Sequence, residues 1–419
     1  MKVLLGNKFF YIKGGSETYL FKLKALLEEH QIETIDFAMQ DEKNIPSRYA
    51  DYFVGNVDYN GPLKLGDQLK NAANIVYSRE AYRKMRRLAA ATRPDVAHLH
   101  IFQHQLSPSI LYALKEQGVP IVYTAHDLKC LCANYRMLVN NRVCEDCRGH
   151  RYYHCFKNVC VKDSRLKSLV NVIEMTLHHL LKSYDLVDII ITPSKFYQKK
   201  FLEFGFPQEK VVYLPNFLDA GPESDPDGDP DTPGQDLANY FIYLGRLSEE
   251  KGMLTLLKAM EQVEGIELYI IGTGAMAEEI EGQIAEKNLG GKVKLLGFKS
   301  GPELDSLIRK AMFSVMPSEW YENAPYSLLE MMAYGKPVIG AAIGGIPEMI
   351  DEGRSGLLFK PGDHRELAEK ICVLKDDPDL VLQYGRQARA KLIKDFNSRD
   401  HFSKLMQIYN KVTRRNGIG

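Results

Sequence analysis

Tyr240-Phe241-Ile242-Tyr243-Leu244-Gly245-Arg246-Leu247-Ser248-Glu249-Glu250-Lys251-Gly252 begins with an apolar and aromatic run and breaks at a glycine. It then crosses a charged turn to Met253, where helical spacing starts. A short run of this kind, a glycine and then a helix make one arm of a βαβ unit. The rhythm continues towards the C-terminus at 267–271, 293–296, 313–316, 337–339 and 356–359. Towards the N-terminus it occupies 3–6, 33–38, 96–100, 120–124, 188–192 and 211–214. Apolar runs separated by helical stretches predict parallel strands covered on both faces, hence an α/β protein of two doubly wound, Rossmann-like domains facing a cleft.

A Pro-, Gly- and Asp-rich segment divides the two sets of runs. Residues 219–236 carry seven acids and no base, too little apolar surface to order a core, and read as an acidic linker. The alternating aspartates resemble a calcium loop, but the closing Glu and the loop spacing are missing. The expected organisation is a first domain over 1–218, the linker, a second domain over 237–398 and a last helix over 399–419. Phe402, Leu405, Met406 and Tyr409 recur at helical spacing there, and the helix is expected to pack against the rest of the chain.

A chain of 419 residues with 45% apolar and 26% charged residues is ordinary globular material, which excludes collagen-like, wholly disordered and disulfide-scaffold classes. No apolar run approaches the ~18 residues of a spanning helix, and the start, Met1 to Lys8, lacks a secretion signal. The expected location is the cytoplasm, including the inner face of the membrane. Formal charge is zero overall, which argues against a nucleic-acid partner, yet residues 1–218 hold 30 Lys and Arg against 22 Asp and Glu.

Three glycine turns follow strands. Gly14-Gly15 opens onto a helix whose N-terminus favours an anion. Gly245 leads to Arg246 and Lys251, a fork and a point charge suited to a diphosphate, the competing reading being two solvated cations. Gly272-Thr273-Gly274 has a dinucleotide-like spacing without the acid that normally follows. The most specific stretch is Pro317-Ser318-Glu319-Trp320-Tyr321-Glu322-Asn323-Ala324-Pro325-Tyr326-Ser327-Leu328-Leu329-Glu330, with two glutamates able to accept bonds from hydroxyls in one cleft.

With Thr124-Ala125-His126-Asp127 and Gly344-Gly345-Ile346-Pro347-Glu348, these motifs resemble, in order and over nearly the whole chain, the retaining nucleotide-sugar glycosyltransferases of family 4, of GT-B fold. The resemblance implies that 1–218 is the acceptor domain and 237–398 the nucleotide-sugar domain, with the last helix crossing back to the first. It also implies that Glu330 holds the ribose, Glu322 the donor sugar, and Arg246 and Lys251 the diphosphate. It places Gly14, Gly15, Gly245, Gly272, Gly274, Asn323, Ala324, Pro325 and Tyr326 around the donor, with His126 beside the reacting sugar. Asn323-Ala324-Pro325 departs from the Gly-Phe-Gly of many relatives, and Pro325 has no N–H to donate. The implied activity is transfer of a sugar, with retention, from a UDP-sugar in preference to a GDP-sugar, to a glycan or lipid-linked glycan in cell-surface polysaccharide synthesis. Two fixed cations make a catalytic metal unnecessary. The alternatives are another GT-B enzyme, an epimerase or hydrolase of nucleotide sugars, and a zinc-stabilised binding module without catalysis.

Six of the seven cysteines lie between 130 and 160. Cys132, Cys144, Cys147 and Cys160 are the expected ligands of a structural zinc, with Cys155 or His154 as substitutes and free buried thiols as the competing reading. Some family-4 transferases look similar in carrying such an insert. His98 and His100 alternate on one strand; His98 is expected in the core, and His100, His104 and Asp127 on the acceptor side, against the rival reading of a histidine metal trio. Basic residues 79–87 and 195–200, the latter interleaved with Phe196, Tyr197 and Phe201, read either as solvated faces or as contacts to an anionic membrane.

Overall fold

The computed structural model describes residues 1–56, 73–220 and 237–416. Most of the acidic linker, 221–236, therefore lies outside the described residues, and with it the aspartates of the calcium-like pattern. The chain forms two compact units: Met1–Val139, Cys144–Pro215 and Arg399–Gly419 in one, Asn140–Val143 and Asn216–Ser398 in the other.

The first unit begins with Lys2–Gly6 (β1), whose Val3, Leu4 and Leu5 are buried because the strand is covered on both faces. Next come Gly15–Glu29 (α1), Glu33–Phe37 (β2), Arg79–Thr92 (α2), Val96–Leu99 (β3), Ser109–Glu116 (α3) and Ile121–Thr124 (β4). The cysteine insert contains the short strands Leu138–Val139 (β5) and Arg142–Val143 (β6), then Tyr153–Lys157 (α4) and Arg165–Leu180 (α5). Ile189–Thr192 (β7), Lys195–Glu203 (α6) and Val211–Tyr213 (β8) complete a parallel sheet of order β2-β1-β3-β4-β7-β8. Ser78, Ser164 and Ser194 cap α2, α5 and α6 by accepting from the N–H three residues on, which fixes where each helix starts.

The second unit holds Tyr240–Leu244 (β9), Met253–Met260 (α7), Glu267–Ile271 (β10), Ala277–Glu286 (α8), Val293–Gly297 (β11), Gly301–Lys310 (α9) and Ser314–Met316 (β12). Tyr326–Ala333 (α10), Val338–Ala341 (β13), Ile346–Met349 (α11), Gly356–Phe359 (β14), His364–Asp376 (α12) and Pro378–Asp395 (α13) follow. Its strands run parallel in the order β11-β10-β9-β12-β13-β14. The order reverses between β9 and β12, so the loops leaving Leu244 and Met316 flank the switch point, where open α/β sheets bind ligands. In the first unit the same reversal falls between β1 and β3.

The last helix, Ser398–Asn416 (α14), completes the first unit's core. Leu405 and Tyr409 are fully buried, Tyr409 Oη lies 2.7 Å from His98 Nδ1, and Phe402 stacks on His30 at 3.8 Å between ring centres.

Candidate active site

The turn after β9 and the loop after β12 are bonded to each other. The Glu319 N–H donates to the Glu250 carbonyl at 2.9 Å, and the Thr255 hydroxyl to Glu319 Oε1 at 2.6 Å. Gly252 makes this approach possible: its φ is +69°, and a Cβ there would stand 1.9 Å from the Pro317 carbonyl oxygen. On the far side, Gly344 (φ +62°) admits the loop after β13, where a Cβ would meet the Glu322 carbonyl oxygen at 2.2 Å. The Gly345 N–H then donates to that oxygen at 2.8 Å.

So held, Lys251 Nζ lies 2.5 Å from Glu322 Oε1, with Lys251 one-fifth exposed and Glu322 almost wholly buried. Ser318 donates to the same oxygen at 2.7 Å. Burial would raise the Glu322 carboxyl, yet the Lys251 charge and the donated bonds outweigh it and hold the group below its ordinary value, ionised. The Lys251 ammonium also stands 5.5 Å from the centre of the Trp320 ring. Among the described residues the buried Trp320 Nε1 has no partner at full hydrogen-bond geometry, but it lies towards Glu322, and its N–H helps hold that carboxyl ionised.

Arg246 stands on the same turn, 65% exposed, its guanidinium 3.2 Å from the buried Glu250, which Ser248 also bonds at 2.8 Å. The Arg246 carbonyl is held by Tyr243 Oη at 2.8 Å. Glu330 stands half-buried in the second turn of α10. Pro325 is the residue before that helix, the Ala324 carbonyl accepts from Asn216 at 2.8 Å, and Tyr326 Oη donates to the Phe217 carbonyl at 3.0 Å. The structure thus joins Lys251 directly to Glu322, keeps Arg246 on the Lys251 turn, and sets Glu330 in the helix that follows. Gly272 and Gly274 have a packing explanation. A Cβ on either would strike the backbone of the β9 turn, at the Gly245 and Leu247 carbonyl oxygens.

The first unit carries the remaining expected residues. Gly14 and Gly15 are exposed at the N-terminus of α1, and Glu17 just inside it is buried, bonded by Ser16 and Asn7. At the switch point, His100 Nδ1 lies 3.1 Å from His126 Nε2, and the His98 and His100 rings are 4.5 Å apart. Tyr19 packs edge-on against His100 and His126 and bonds His401 at 3.1 Å. Burial pushes all four imidazoles down, His126 to about 3 and His401 to about 4, so the cluster is neutral. His98 is core, as expected. His100, expected to face an acceptor, is fully buried behind the half-buried His126.

His104 is not part of this group. Its Nε2 lies 3.7 Å from the buried Glu174, which is paired with Lys129 at 2.8 Å. Asp127 accepts from the Lys129 N–H at 2.9 Å. Among the described residues no three Cys, His, Asp or Glu side chains form a metal-holding group, so the histidine trio is not assembled.

In the insert, Cys132, Cys144, Cys147, Cys155, Cys160 and His154 line a cavity of about 10 Å³, room for a single water or ion. The thiols pair as Cys132 with Cys147 and Cys155 with Cys160, whereas Cys144 stands outside both pairs. Ser318, Trp320 and Glu250 escaped the sequence reading. The Pro-Ser start of the loop and its tryptophan were visible, but nothing in their spacing revealed that they surround Glu322.

Residues 13–221 match the model of glycosyltransferase family 4, and residues 231–391 that of glycosyl transferases group 1. An uncharacterized glycosyltransferase of Methanocaldococcus jannaschii is 30% identical over 98% of this chain and 97% of its own length. The amylovoran biosynthesis glycosyltransferase AmsK of Erwinia amylovora is 30% identical over 54% of the chain, a match that spans 56% of that relative. The solved Anabaena HepE in complex with UDP-glucose has the same fold, with TM-score 0.63 at 18% identity, covering 98% of this chain and 100% of that one. The chain belongs to the family-4, group 1 glycosyltransferases.

Proposed function

We propose that this chain is a retaining glycosyltransferase that moves a sugar from a UDP-sugar, in preference to a GDP-sugar, to a glycan or lipid-linked glycan during cell-surface polysaccharide synthesis in the cytoplasm. The observation that carries this reading is the Lys251–Glu322 pair at the switch point of the second sheet. The names of two similar proteins, one of amylovoran biosynthesis and one bound to UDP-glucose, support the substrate class.

Lys251 and Arg246 neutralise the charge that develops on the departing diphosphate, so no catalytic metal is required. Glu322, ionised and fixed through Oε1, accepts hydrogen bonds from donor-sugar hydroxyls; Glu330 does the same for the ribose. The acceptor oxygen attacks the anomeric carbon on the face the diphosphate leaves, the carbon–oxygen bond to the diphosphate breaks, and the leaving phosphate oxygen takes the acceptor's proton. His126, neutral at working pH, serves as a hydrogen-bond partner to the sugar.

A structural zinc on Cys132, Cys147, Cys155 and Cys160, with Cys155 in the place first expected for Cys144, is part of this proposal and requires the two thiol pairs to close onto one ion, since as they stand no three of them form a metal-holding group.

Calorimetry with UDP, GDP and their sugars, followed by assay of nucleotide release with and without glycan acceptors, tests the assignment. Tighter binding of UDP, release that requires an acceptor, and an unchanged anomeric configuration by NMR are expected. Release without an acceptor, or absence of nucleotide binding, rejects it.

A further inference from the structure

α5 is turned inside out. Its buried residues are Ser168, Asn171, Glu174, Met175 and His178, all but one polar. They face inward because Lys129 is buried beneath them. Its ammonium donates to Asn171 Oδ1 at 2.9 Å and Glu174 Oε2 at 2.8 Å, and His178 bonds Ser183 at 2.9 Å. Met175 and the half-buried Val172 pack on the insert's cluster, but the leucines and Ile173 are left outside: Leu166, Ile173 and Leu180 are 62%, 52% and 70% exposed, with Leu169 and Leu177 between them on the same helical stripe.

Exposed leucines scattered singly need no explanation, but a contiguous apolar stripe on a helix marks a surface that something covers. Tyr153 and Phe156 of α4, which packs on α5, are exposed as well, and Leu181 prolongs the stripe. The charges decide what covers it. Arg165, Lys167 and Lys182 are exposed beside the stripe, and the one acid between residues 165 and 182, Glu174, is buried and paired with Lys129. Apolar side chains flanked by uncompensated cations, with aromatics alongside, suit an interface of acyl chains and anionic headgroups. Among the described residues no helix is long and apolar enough to cross a membrane, so contact along one helix face is the mode these residues permit. The basic helix α6 is a poorer candidate. Its Tyr197 and Phe201 point into the core and Lys200 is spent on Glu145 and Glu203.

We infer that the outer face of α5, extended by Tyr153 and Phe156, docks the protein on an anionic phospholipid surface. This goes beyond sugar transfer and does not depend on it.

Flotation with vesicles of phosphatidylcholine alone, and of phosphatidylcholine with phosphatidylglycerol, tests it on the full chain. The protein is expected to float with the anionic vesicles and to be released by salt. Ile173→Ser with Leu177→Ser is expected to lower the bound fraction by at least about tenfold, each lost apolar side chain weakening insertion. The thermal midpoint should move by only about a few degrees, because Ile173 and Leu177 are partly exposed, at 52% and 36%. Arg165→Glu with Lys167→Glu is expected to remove the preference for anionic vesicles. A wild-type chain that stays unbound overturns the inference, as does a double serine variant that floats as well as wild type. Sedimentation showing a stable dimer that Ile173→Ser dissolves also overturns it, since the face then belongs to a second copy.

Discussion

Lys251→Met removes one partner of a pair whose other member cannot reach solvent. Glu322 keeps the Ser318 hydroxyl at 2.7 Å and the neighbouring Trp320 N–H as side-chain donors while remaining buried. Breaking a fully buried pair costs about 3–5 kcal/mol, and the partial exposure of Lys251 reduces this to about 1–3 kcal/mol. The sign of the pH dependence reverses as well. In the wild type the Glu322 carboxyl is held below its ordinary value, so the pair's stabilisation is present above the unfolded value of about 4.3 and is lost as pH falls through the lower folded value. Without Lys251, burial dominates and raises the carboxyl, so the variant's deficit is largest at neutral pH and shrinks as pH falls and the group takes a proton. Urea unfolding of both proteins at pH 7.5 and 5.0, alongside kcat/KM with a UDP-sugar, measures both effects. Turnover is expected to fall by at least ~10²-fold. A variant within ~0.5 kcal/mol of wild type at both pH values, with near-normal turnover, refutes the pair's structural and catalytic roles together.

Arg246→Ala separates chemistry from folding. The side chain is mostly exposed and paired at one point, so stability should change by less than ~1 kcal/mol while turnover falls by ~10²-fold, read by thermal melts and initial rates. Gly252→Ala should destabilise by about 2–4 kcal/mol, since its Cβ has no room at a positive φ, and a melting temperature like wild type would contradict the packing described. The buried imidazoles bind protons only on unfolding below about pH 6.5, so stability should fall as pH drops from 7 to 5, and His401→Gln should make that slope shallower. Metal analysis of protein purified under reduction should find one zinc per chain, lost in Cys155→Ser and retained in Cys144→Ser; less than about 0.2 equivalents in wild type rejects the site.

Strand positions were legible because parallel strands buried on both faces leave continuous apolar runs, as at Ile189–Thr192 and Val338–Ala341. The pairing of Lys251 with Glu322 was not, since 71 residues separate them and the contact depends on Gly252 lying against Pro317. His98 and His100 share a face as strand alternation requires, yet His100 is covered by Tyr19 and His126 from other elements, which local pattern does not encode. Helical periodicity would send the leucines of α5 inward; Lys129 beneath the helix reverses that, and a single buried lysine carries no local signal.

Translation emits residues 399–412 only after the whole second unit. Until then the first unit lacks Tyr409 against His98 and His401 against Tyr19 and the Pro215 carbonyl. On the ribosome, the portion made first is therefore the portion finished last, and a nascent chain halted after Phe396 would leave an open seam over β1 and β3.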